Sequence, residues 1–72
     1  MANSDVRAAM ATLDTAIQAI DVSALEAATF TPGEHTSYAA GLRFHLIATV
    51  RDAQRLSTEA VAQFQALTKL ED

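Results

Sequence analysis

From Thr31 to Leu70 runs a stretch that leaves little freedom in the choice of fold. It opens with Thr31-Pro32-Gly33-Glu34 and contains no later proline. The Thr31 hydroxyl suits an N-cap. Pro32 suits the first helical position, where its missing N–H costs nothing. Glu34 then falls where it can reach back to the Thr31 amide and complete a capping box. Advancing about 100° per residue, His35, Tyr38, Leu42, Leu46, Thr49, Ala53, Leu56, Ala60, Phe64 and Leu67 share one face. The stripe keeps its phase past Ser57-Thr58, so one helix is predicted over about 32–70. Such a helix is about 57 Å long at 1.5 Å per residue.

A partner for it precedes it in the chain. Asn3 or Ser4 can cap a first helix, and Asp5 in its first turn suits the helix dipole. Val6, Met10, Leu13, Ile17, Ile20, Ala24 and Ala28 then recur in threes and fours. That phase predicts one helix over about 4–28. Ser23 and Glu26 form a competing capping box, which would stop the first helix near Ile20 and start a short one at 24–29. The turn over about 29–32 is short, so the two long elements must lie antiparallel. The expected fold is all-α: an antiparallel helical hairpin with a long second helix, one domain spanning 1–72.

At 72 residues such a chain buries little. It has no cysteine, so a disulfide cannot reinforce it. Half the residues are apolar and few are aromatic, a composition of close-packed helices. No β-branched run alternates as a strand would. The net charge of −4 argues mildly against a general nucleic-acid binder. No apolar run approaches the roughly 20 residues that span a bilayer, and residues 1–5 lack the basic and apolar regions of a signal peptide. The expectation is a soluble cytoplasmic protein without membrane attachment.

Folded evenly about residue 31, Ile20 faces Leu42, Ile17 faces Leu46 and Met10 faces Ala53. Val6 reaches roughly Leu56, and there the first arm ends. Ala60, Val61, Phe64, Leu67 and Leu70 are left overhanging. Four large apolar side chains left wet forfeit about 6–10 kcal/mol gross, comparable to a domain's net stability. Phe44 and Ile47 lie on the opposite side of the long helix and suggest a second contact surface. A dimeric four-helix bundle satisfies both features, with Phe44, Ile47, Val61, Phe64, Leu67 and Leu70 as the protein interface.

Chemistry finds little support. His35 and His45 are about 15 Å apart on one helix, and no His, Asp or Glu pair has the spacing of a helical metal motif. There is no nucleophile elbow and no glycine-rich phosphate loop. Neither a catalytic residue, a metal nor a cofactor is expected. Arg43, Arg51 and Arg55 form an outer strip that a dimer would double, so the alternative is a nucleic-acid-binding regulator. A third reading holds a small apolar ligand between the helices. The leading expectation is a non-enzymatic interaction module (a regulator, inhibitor, adaptor or assembly subunit) that pairs with itself and, in some of these roles, with another protein.

Overall fold

The computed structural model describes residues 2–30 and 36–69. It holds three helices: α1, Asn3–Gln18; α2, Ser23–Ala27; and α3, Thr36–Thr68. The molecule is a rod, 59 × 17 × 15 Å, and α3 with its 33 residues sets that length. Both α1 and α2 pack on α3, so the chain is an all-helical hairpin with its first arm in two pieces. The expected cap at Thr31, Pro32 and Glu34, with His35, lies outside the described residues, as does Leu70.

The line along which α3 meets the first arm is Ile47, Val50, Gln54, Ser57, Val61, Phe64 and Thr68, all buried or half-buried. The spacing alternates three and four, the period at which one helix keeps facing another. On α1 the matching line is Val6, Met10, Asp14 and Ile17. Much of this seam is polar. Arg7 donates from Nη1 to the Thr68 carbonyl at 3.1 Å and to its hydroxyl at 2.8 Å. The Ser57 hydroxyl donates to Asp14 at 2.7 Å. At the centre, Gln18 and Gln54 exchange bonds. Gln18 Nε2 reaches the Gln54 carbonyl at 2.6 Å and the Thr58 hydroxyl at 3.0 Å. Gln54 Nε2 lies 3.1 Å from the Ile17 carbonyl and 3.0 Å from that of Ile20. The last carbonyls of a helix have no partner within it, so Gln54 caps the end of α1 from across the hairpin.

The first arm therefore differs from a single helix over 4–28. It breaks after Gln18 and restarts at Ser23. The cause is Asp21, whose carboxylate accepts from the Ser23 amide at 2.9 Å and from the Ser23 hydroxyl at 2.5 Å. A short polar side chain bonded to the backbone two residues on makes a turn that competes with helix. Those two bonds hold the Asp21 carboxyl below the ordinary aspartate range. The restart also turns Val22 and Leu25, which a continuous helix would carry off the seam, into half-buried positions.

The break corrects the arm-length argument. Helix advances 1.5 Å per residue and extended chain more than 3 Å. With turns at 19–22 and 28–30, the first half of the chain covers more of α3 than an unbroken helix could. Ile17 consequently sits at Gln54 rather than Leu46, and Arg7 grips Thr68, which is only 7% exposed. Of the expected overhang, Val61 and Phe64 are half-buried on the helix-to-helix line, whereas Ala60 and Leu67 are exposed.

Replacing Gln54 by Ala removes the cap and the reciprocal clasp. Stability measured by urea unfolding should fall by about 1–3 kcal/mol, with fraying focused at the C-terminal turn of α1 in amide exchange; an unchanged midpoint would refute the role. The depressed Asp21 pKa means that its contribution is present above the ordinary aspartate range and is lost as pH falls through it. In a carboxyl NMR titration, Ser23→Ala should move the Asp21 pKa upward toward an ordinary aspartate. Identical titration curves would remove the turn as the cause.

Candidate interaction surface

The stripe read from the sequence is real, but most of it lies beside the line of contact with the first arm rather than on it. Tyr38 is 73% exposed, Leu67 is 78% exposed, and Leu42, Leu46 and Leu56 are each about half exposed. The helix-to-helix line runs instead through Ile47, Val50 and Gln54, about a quarter-turn or more round α3. The stripe thus forms a flank beside the seam. On the same side of α1, Leu13 is 61% exposed; Ile20, beyond the end of α1, is about half exposed. Between these rows runs a groove of about 310 Å³, lined by Met10, Leu13 and Ile17 from α1 and by Ala53, Leu56, Ser57, Ala60 and Val61 from α3. Its walls are almost entirely carbon, with the Ser57 hydroxyl turned to Asp14.

No charged residue interrupts the α3 flank. At 100° per residue, Arg43, Arg51, Asp52, Arg55, Glu59 and Lys69 all fall outside the arc from Leu46 through Tyr38. Among the described residues, Ile47 is the one apolar side chain that is buried, at 7% exposure. A domain normally buries more of its large apolar residues than it shows, so the flank is the anomaly of this molecule.

The residues singled out from sequence separate into two groups. Ile47 is buried, and Val61 and Phe64 are half-buried, in the chain's own seam. Phe44, at 58%, and Leu67 are open. Leu13, Ile20, Tyr38, Leu42, Leu46 and Leu56 are legible as apolar positions, and periodicity alone places them in the interior. The signal that could have moved them outward is Gln54 and Ser57 in the alternative row, two groups that bond across a hairpin as readily as they face water.

The three arginines of the alternative reading each have a partner within the chain. Arg43 lies over the rings of Phe30 and Phe44, at 5.2 and 5.0 Å from their centroids, and donates from Nη1 to the Ala28 carbonyl. Arg51 pairs with Glu26 at 2.5 Å. Arg55 pairs with Glu59 at 3.2 Å and with Asp52 at 3.7 Å. The strip is therefore balanced by carboxylates at two of its three positions, and at the third the guanidinium holds the chain leaving α2. His45 is exposed, and no group of three His, Asp or Glu able to hold a metal occurs among the described residues. No helix among them is long and apolar enough to cross a membrane.

No family model, curated protein or solved structure matches the chain.

Arg43 and Arg51 should behave differently on substitution. Arg43→Met loses the contact with two rings and a carbonyl, and should lower stability by about 1–2 kcal/mol. Arg51→Ala removes an exposed ion pair and should change it by less than about 1 kcal/mol. Parallel urea titrations decide the matter; equal losses would contradict the division of roles.

Proposed function

We propose that this chain is a non-enzymatic protein-interaction module that acts through the apolar flank of its hairpin, associating with itself as a dimeric four-helix bundle. The observation that carries the reading is the half-exposed set of Leu13, Ile20, Leu42, Leu46 and Leu56, while among the described residues Ile47 is the only buried apolar side chain. A compact monomer of 7.7 kDa exposes about 4,300 Å². This chain exposes 5416 Å². The difference, about 1,100 Å², is of the size that one partner buries in a stable protein interface, about 800 Å².

Two helices side by side have one contact line and no interior, so leucines beside that line gain an enclosed environment only from outside the hairpin. Burying a leucine or isoleucine fully contributes about 1.5–3 kcal/mol. Completing the half-burial of five such residues supplies about 4–8 kcal/mol per copy on the same scale. Catalysis has no support from a nucleophile–base pair or a polar pocket, and the groove is lined by carbon rather than by the convergent polar groups of a substrate site. A module of this kind suits a regulator, an inhibitor, an adaptor or a subunit of a larger assembly.

Sedimentation at micromolar concentration tests the reading. The expected mass is about twice 7.7 kDa. The double variant Leu13→Gln with Leu56→Gln should sediment as a monomer with reduced helical circular dichroism, while Arg51→Ala should leave the mass unchanged. A folded, cooperative wild-type species at the mass of one chain would overturn the proposal. Salt-sensitive nucleic-acid binding lost in Arg51→Ala would favour the arginine strip instead.

A further inference from the structure

We infer that the second copy docks with its α3 antiparallel to the first, about a two-fold axis beside Ala53, so that Leu46 of each copy enters the groove of the other. The inference rests on the self-association proposed above and specifies its geometry.

Three observations fix the register. The uncharged flank of α3 runs from Tyr38 to Leu67. When such a stripe pairs with itself across a two-fold axis, overlap is greatest where the axis bisects it, and the bisector falls beside Ala53. At this point the side chain is a single methyl group, which lets two helices approach most closely. The second observation is the alternation of size about that centre. Leu46 and Ala60 lie seven residues on either side of Ala53, about 10.5 Å each way along the helix. The axis therefore sets every Leu46 against Ala60 of the second copy. A large side chain against a small one is the arrangement that packs without voids.

The groove is the third observation. It is centred on the Ala60 side of the axis, where Ala53, Leu56 and Ala60 form one wall and Met10, Leu13 and Ile17 the other. An antiparallel α3 brings Leu46 of the second copy to that opening and, by symmetry, delivers this chain's Leu46 to the equivalent groove. A parallel pairing would set Leu46 on Leu46 and Leu56 on Leu56, with the small residues also on one another, and would leave the groove facing Ala60. The excess surface of about 1,100 Å² matches what a copy contributes to such an interface.

The chain has no cysteine, so single cysteines report the register without background. Ala53→Cys, treated with oxidised glutathione, should convert most of the protein to a disulfide-linked dimer with itself. An equimolar mixture of Leu46→Cys and Ala60→Cys should give the mixed disulfide in excess over either homodimer. Tyr38→Cys should not cross-link to itself, because the axis places its two copies at opposite ends of the rod. A wild-type dimer in sedimentation with no Ala53→Cys cross-link, or with strong Tyr38→Cys self-linkage, would overturn the register and leave the interaction reading intact. A wild-type monomer would remove both.

Discussion

The exchange between Gln18 and Gln54 is the interaction on which the rest of the hairpin depends. Each side chain bonds to the backbone of the opposite helix. A pair of leucines at these positions would hold the helices together but tolerate sliding, since dispersion contacts are non-directional. Two amides with backbone partners do not. They fix which turn of α1 lies beside which turn of α3, and with Arg7 on Thr68 and Ser57 on Asp14 they set one register along the rod.

A directional seam has a cost in placement. Every position given to glutamine, serine, threonine or arginine on the inner line is one from which a leucine is displaced. The leucines of α3 accordingly lie a quarter-turn away, and Leu13 on α1 lies on the same side. Polar groups thus specify the pairing of the helices within one chain, while apolar groups are left on its exposed flank. The division assigns geometry to hydrogen bonds, which are modest in net energy, and leaves outside the seam the side chains whose burial contributes more.

Helical class was readable from periodicity, and the hairpin from the shortness of the turn. The break in the first arm was visible only as a competitor: Ser23 and Glu26 suggested a restart, whereas the structure uses Asp21 as the acceptor and Ser23 as the donor. Which face of α3 turns inward was not readable by hydropathy. The row with the most leucines looks like an interior, and Gln54 and Ser57 look like surface. Both inferences fail for the same reason, that glutamine and serine can satisfy a backbone as well as water can. The charge of Arg43 was legible, and its place over the rings of Phe30 and Phe44 was not.

The clamp of Arg7 on Thr68 joins residues 61 positions apart. A contact of such sequence separation closes nearly the whole chain into a loop, and its entropic penalty is lowest once the intervening pairs are in place. Folding should then proceed like a zip from the α2 end, through Glu26 with Arg51 and Gln18 with Gln54, and reach the two tips last. Opening runs the other way. The ends of α1 and α3 let go together, and in an antiparallel assembly those loosening tips lie at both poles of the rod, leaving its middle as the most durable segment.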